Sequence, residues 1–212
     1  KYAEHTGIVN AVTSTKDTSI LSVSDDKSCK VWDRRQKRPT VSLEMSYPLL
    51  AVAQSDEHVY VSGIDPKIYA WDLRRPSHPV YSMAGHSDTV TCLSLHPEQT
   101  HILSNSMDQT LKTWDIRPFV ASQSKRLSQT FRGHRHATER GLLKASWSAD
   151  GSMVSAGSSD HRVHIWDVFS AQELYDLPGH TGCVNAVSFH PYETTVVVSG
   201  SSDQQIFVGE LS

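Results

Sequence analysis

The chain has 212 residues, 38% of them hydrophobic and 20% charged, with a formal net charge of −3. That length and apolar share support a buried core, no apolar run is long enough for a membrane-spanning helix, and nothing at Lys1 reads as a charged-then-apolar leader. The slight acidity argues against a dedicated duplex-binding domain, and three widely spaced cysteines (Cys29, Cys92, Cys183) give no disulfide framework, so a reducing compartment and small apolar packing roles are expected.

Five units follow along the chain. The first opens on Glu4-His5, a weak version of a Gly-His pair, and carries Asp26 six residues before Trp32-Asp33. The second has Glu44-Met45-Ser46-Tyr47-Pro48 where a Gly-His pair is due, then runs from Asp65 to Trp71-Asp72. The third opens at Gly85-His86, continues through the apolar stretch Val90–Leu95, turns at His96-Pro97 and runs from Asp108 to Trp114-Asp115. The fourth opens at Gly133-His134, turns at Asp150-Gly151 and runs from Asp160 to Trp166-Asp167, with a further strand expected over 174–177. The fifth opens at Gly179-His180 and turns at His190-Pro191. It runs from Asp203 to Gly209-Glu210, where the others have Trp-Asp.

The steps between Asp26, Asp65, Asp108, Asp160 and Asp203 are 39, 43, 52 and 43 residues. After each of these Asp residues the sequence alternates as a pleated strand does. Positions three and five are Cys29 and Val31, Ile68 and Ala70, Leu111 and Thr113, Val163 and Ile165, Ile206 and Val208, which predicts one nearly uniform apolar face. Four short antiparallel strands per unit make a blade, and blades around an axis leave few open edges. A period near forty with Gly-His openings and Trp-Asp endings reads as an all-β WD40 β-propeller of five repeats, a single domain over residues 1–212.

The recurring histidines and aspartates invite a metal reading, but one His and one Asp per blade fit a structural role better. His5, His86, His134 and His180 are expected to reach Asp26, Asp108, Asp160 and Asp203, with Ser22, Ser104 and Ser199 and the Trp side chains (Trp32, Trp71, Trp114, Trp166) completing hydrogen-bonded chains. Ala156 in the fourth unit and Val61 in the second leave those chains incomplete, Asp65 included. His134-Arg135-His136 lacks a carboxylate or Cys at ligand spacing and reads as a solvated loop. No metal, cofactor or catalytic residue is expected: phosphate-loop, GxSxG and HExxH motifs are absent.

Two stretches are candidates for contacts. The long third step reflects an insertion over 117–127 with a few further residues over 135–140, and extra residues on a regular scaffold sit in surface loops. Lys125, Arg126, Arg132, Arg135, Arg140 and Lys144 concentrate positive charge there. Contact with RNA or an acidic protein is one reading and a solvated loop the other, since no aromatic interleaves the run. Phe119 and Phe131 are expected to anchor the loop. The second candidate is the rim formed by residues before the marker Asp and before the first strand: Asp25, Ile64, Met107, Ser159 and Ser202 with Ile8, Leu49, Thr89, Leu142 and Cys183. Several are apolar, as at protein interfaces.

The stretches Gly63-Ile64-Asp65, 68–74 and 85–95, the run 103–108, the insertion start Asp115-Ile116-Arg117-Pro118-Phe119, residues 143–152 and the ending Val208-Gly209-Glu210-Leu211 go beyond generic repeat marks. With them the chain resembles the family of 40-kilodalton WD40 subunits of the U5 small nuclear ribonucleoprotein. The resemblance implies a nuclear, non-catalytic scaffold of pre-mRNA splicing. It implies as partners the spliceosomal proteins, chiefly the large central U5 protein, with RNA contact indirect and no membrane. The alternatives are a WD40 adaptor of a ubiquitin ligase or chromatin complex, and an enzyme built on a propeller. The family forms a seven-bladed ring, whereas this chain holds five units. Either blades precede this stretch, or five blades close with residues 1–3 completing the last.

Overall fold

The computed structural model describes residues 2–14, 19–120, 125–136 and 141–212. Nineteen strands in these residues form five antiparallel sheets, one per unit. The first blade is β1 (Val9–Ser14), β2 (Ile20–Ser24), β3 (Ser28–Trp32) and β4 (Pro39–Glu44). The second is β5 (Leu49–Gln54), β6 (Val59–Gly63), β7 (Ile68–Trp71) and β8 (Tyr81–Met83). The third is β9 (Val90–Leu95), β10 (His101–Ser106), β11 (Thr110–Asp115) and β12 (Leu127–Phe131). The fourth is β13 (Ala145–Trp147), β14 (Met153–Gly157), β15 (Val163–Asp167) and β16 (Glu173–Leu177). The fifth has three strands, β17 (Val184–Phe189), β18 (Val196–Ser201) and β19 (Ile206–Glu210).

Each apolar core lies between two neighbouring blades. Leu21, Val23, Cys29 and Val31 of the first blade pack on Val52, Val59, Val61 and Trp71 of the second. The same sandwich recurs from the second blade to the third, the third to the fourth and the fourth to the fifth. The strand alternation explains this: one face of a blade covers the next blade's opposite face, and the apolar area leaves water on both sides.

The marker Asp shapes the turn into the third strand. Lys27, Gln109, His161 and Gln204, each just after the Asp, have φ of 69°, 62°, 74° and 67°. The cost of this left-handed residue is offset by the Asp carboxylate, which accepts the N–H two residues on, as Asp26 does from Ser28 at 3.0 Å and Asp108 from Thr110 at 3.0 Å. The second blade cannot build this turn, because Pro66 holds φ negative.

One expectation needs correction here. The apolar face of the third strand is buried in four blades, but in the fifth Ile206 is 73% and Val208 69% exposed, because no sixth sheet covers them among the described residues. At the other end of the arc Ile8 and Val12 are 70% and 62% exposed. Lys1 lies outside the described residues, and Tyr2 sits against the first blade, its ring 5.0 Å from that of Trp32.

Candidate functional site

In the first and third blades the expected chains come together. Trp114 Nε1 donates to Ser104 Oγ at 2.8 Å, Ser104 lies 2.7 Å from His86 Nε2, and His86 Nδ1 lies 2.8 Å from Asp108. Trp32, Ser22, His5 and Asp26 repeat this at 2.7 Å for each contact. The directions follow from donor counting: a neutral imidazole with its proton on Nδ1 donates to the carboxylate and accepts from Ser at Nε2. Burial lowers the His86 pKa despite the opposing pull of Asp108, which fits that neutral form. Burial would raise the Asp108 carboxyl, but hydrogen bonds from His86, Thr110 and the Ser87 amide outweigh it and hold it far below the carboxylate range.

The fifth blade keeps His180 between Ser199 and Asp203, at 2.9 Å each, but has Gly209 at the Trp position. The Phe207 ring stacks on His180 instead, with centroids 4.3 Å apart. In the second blade, where no His is present at the entrance, Asp65 accepts from Tyr69 Oη at 2.6 Å, and the buried Trp71 Nε1 has no partner among the described residues.

The fourth blade departs most. His134 does not reach Asp160; its Nε2 lies 2.9 Å from Asn105 Oδ1 of the third blade. Asp160 is instead met by His164 of β15 at 3.1 Å, and the other nitrogen of that ring faces Glu173. Trp166, lacking a Ser at position 156, donates to the Arg132 carbonyl at 3.0 Å. The 134–136 stretch is therefore not a solvated loop: His134 is 1% exposed, and His136 also leans on Asn105 at 3.4 Å. Asn105 stands where Val23, Ser62, Gly157 and Gly200 occur in the other blades, and that lone amide was the readable signal for it. Among the described residues one group of three metal-type ligands, His164, Glu173 and Asp176, comes together, and there Asp176 is paired with Arg162 at 2.6 Å.

The basic stretch divides. Lys125, Arg132 and Arg135 are exposed, while Arg140 lies outside the described residues. Arg126 is only 7% exposed, a correction to its place in a surface loop. Its guanidinium lies 4.2 Å over the Tyr81 ring and donates to the carbonyls of Asp115 and Arg117, tying the insertion to the second blade. The loop anchors also divide: Phe131 is buried and Phe119 is 99% exposed, so only Phe131 anchors.

The rim is built by one repeated rung. The amide of Asp25 donates to the Ile8 carbonyl, that of Met107 to Thr89 and that of Ser202 to Cys183, each at 2.9 Å. In the second and fourth blades the rung shifts to Ile64 with Pro48 and Ser159 with Arg135, so Leu49 and Leu142 are not the equivalents expected. Leu49 is 2% exposed and Thr89 buried, and both leave the exposed surface. Ile8 and Ile64 remain open, with Asp25, Met107 and Leu142 half-buried. Asn10 Nδ2 bridges Asp25 and the Leu49 carbonyl, joining the first two blades at this rim.

The WD40 family, described as WD domain, G-beta repeat, matches residues 1–33, 77–115, 125–167 and 171–208. The unmatched interval 34–76 holds the second unit, the one without a Gly-His pair. The chain is 43% identical over 216 residues to Pre-mRNA-splicing factor cwf17 of Schizosaccharomyces pombe, a match covering 100% of this chain and 62% of that protein. It is 41% identical over 210 residues to the U5 small nuclear ribonucleoprotein 40 kDa protein of Homo sapiens, covering 98% of this chain and 58% of that protein. The protein of the same name in Dictyostelium discoideum is 41% identical over 212 residues, covering 98% and 59%. The chain thus spans about three fifths of the length of these relatives.

Proposed function

Because the chain belongs to the WD40-repeat family, we propose that it is a non-catalytic protein-interaction scaffold of pre-mRNA splicing, acting in the nucleus within the U5 small nuclear ribonucleoprotein. The observation that carries this reading is identity above 40% over essentially the whole chain to proteins bearing those names. The site chemistry supports it: the recurring His and Asp side chains are occupied in holding a turn or a blade junction, as in the Trp114–Ser104–His86–Asp108 chain.

The partners in this reading are spliceosomal proteins, chiefly the large central U5 protein, met at the rim around Ile64. RNA contact is indirect, through those proteins, and Lys125, Arg132 and Arg135 are the exposed basic residues of the insertion region. No cofactor or metal is required. The apolar faces left open at Ile206 and Val208 and at Ile8 and Val12 support a larger, seven-bladed ring in which further blades cover them.

Affinity purification of the full-length protein from nuclear extract tests the reading. Recovery of U5 RNA and splicing proteins is expected. Recovery of ubiquitin-ligase or chromatin subunits in their place would overturn it.

A further inference from the structure

On the side of the fold away from the marker-Asp turns, a cavity of about 570 Å³ opens between the third and fourth blades. Its walls come from the turn joining β9 to β10, the strand β12, the turn joining β13 to β14 and the turn after β15. It lies outside the rim and the basic stretch, and the repeat chemistry does not account for it.

The floor is aromatic. His96 meets the Trp147 ring edge-on at 4.7 Å, and Trp147 is 7% exposed with its Nε1 donating to the Ser94 carbonyl. Gly151, at φ 73°, permits this packing, since a Cβ there would lie 2.0 Å from His96 Nε2. At the edge stands Phe169, 95% exposed, its carbonyl held by Gln129 Nε2 at 3.1 Å. One exposed aromatic is ordinary on its own. Here it borders a groove that also carries three carboxylates, Glu98, Asp150 and Asp167.

Among the described residues no Lys or Arg lines the groove, and none of the three carboxylates is ion-paired to one. Asp150 is held by the Ser148 and Ser152 hydroxyls and Asp167 by the Ser170 amide and hydroxyl. In Asp150 those bonds outweigh the effect of burial; in both residues they keep the carboxyl below its ordinary range, so both stay charged. Burial keeps His96 and His101 on the neutral side, so neither supplies a compensating cation at neutral pH. The groove is an uncompensated negative pocket with an aromatic floor and an aromatic lip.

We propose that this groove binds an arginine-bearing, extended segment of a partner protein, the guanidinium lying between Phe169 and the Glu98, Asp150 and Asp167 carboxylates while apolar neighbours cover the Trp147 floor. A planar guanidinium suits this set better than an ammonium, because it stacks on an aromatic face while its fork serves two carboxylates. The inference does not rest on the splicing reading, since it follows from the groove's chemistry alone.

The test uses the full chain and fluorescein-labelled ten-residue peptides of Gly-Ser background carrying Leu-Arg-Leu, Leu-Lys-Leu or Leu-Glu-Leu at the centre, read by anisotropy. The Arg peptide should bind at least fivefold tighter than the Lys peptide and tenfold tighter than the Glu peptide, with affinity falling as salt rises. Phe169→Ala should weaken the Arg peptide about fivefold, the worth of a partly desolvated cation–π contact. Glu98→Lys, at an exposed position, should weaken it about tenfold with the thermal midpoint unchanged. Equal binding of the Glu peptide, absence of Arg-peptide binding, or retention of affinity in both variants would each overturn the proposal.

Discussion

His134 turns its Nε2 toward Asn105 of the neighbouring blade, 2.9 Å away, and leaves Asp160 of its own blade to His164. The junction between the third and fourth blades thus hangs on a fully buried amide: Asn105 also donates to the Leu143 carbonyl at 3.2 Å, and Thr91 Oγ1 reaches that same carbonyl at 3.1 Å. Buried polar groups at low dielectric are costly when one member of the set is removed.

Asn105→Ala should therefore destabilise the protein by about 2–3 kcal/mol, since it strands His134 and removes one of the two donors to the Leu143 carbonyl. Gly200→Ala, at the matching position in the fifth blade, should cost far less, because a Cβ there would meet no atom within 4 Å. Urea unfolding of the two variants checks the difference; equal losses would count against the junction.

The same histidine predicts a pH dependence. Burial, aided by His136 and His164, pulls His134 down to about 3 from an ordinary 6.5. A histidine with a lowered folded pKa binds fewer protons folded than unfolded. Its contribution is complete above about 6.5 and is lost as pH falls from there toward 3, at up to ~1.4 kcal/mol per pH unit. His86 shifts in the same direction. Asp26 and Asp108, held low, add a loss that begins only below the ordinary carboxylate range. Urea midpoints should fall between about pH 6.5 and 4.5 in the parent protein and fall less in His134→Gln.

The two tryptophans of neighbouring blades should differ. Trp114 Nε1 donates to Ser104, whereas the buried Trp71 Nε1 has no partner among the described residues. Trp114→Phe removes a made hydrogen bond and strands part of the Ser104 chain; Trp71→Phe removes an N–H whose desolvation no hydrogen bond offsets. Thermal unfolding should show Trp114→Phe costing about 1 kcal/mol more.

Positive charges near the insertion should separate by burial. Arg126→Ala should lower stability by roughly 1–3 kcal/mol, through loss of the Tyr81 contact and two carbonyl hydrogen bonds. Lys125→Ala and Arg132→Ala, both exposed, should stay within about 0.5 kcal/mol of the parent. Calorimetric midpoints that rank the three alike would contradict this division.

Much of the architecture was legible because it is periodic. The Asp-to-Trp spacing and the alternation after each Asp are local, and local geometry decides a turn and a strand. The His–Asp–Ser–Trp chains of the first and third blades could be read from spacing, since each needs only groups that one sheet brings together. The incomplete chain of the second blade was visible in Val61, and Pro66 adds the reason its turn differs.

What the spacing could not decide was how neighbouring blades share polar groups. His134 and His164 both lie within reach of one blade, and the choice between them depends on Asn105 from the next sheet. Arg126 lies in a run that looks like surface, yet the approach of Tyr81 from the second blade buries it. Ile206 and Val208 alternate as core residues do, yet they are exposed, because burial needs a facing sheet and alternation supplies only one side. By itself the sequence determined the blade, its turns and the hydrogen-bond chains that close within a single sheet, in the first and third blades and, short of the Trp, in the fifth, all set by short-range backbone geometry. Only the tertiary structure decided which side chains cross between blades, which end faces stay open and where a groove forms, because those depend on two sheets meeting at atomic distance.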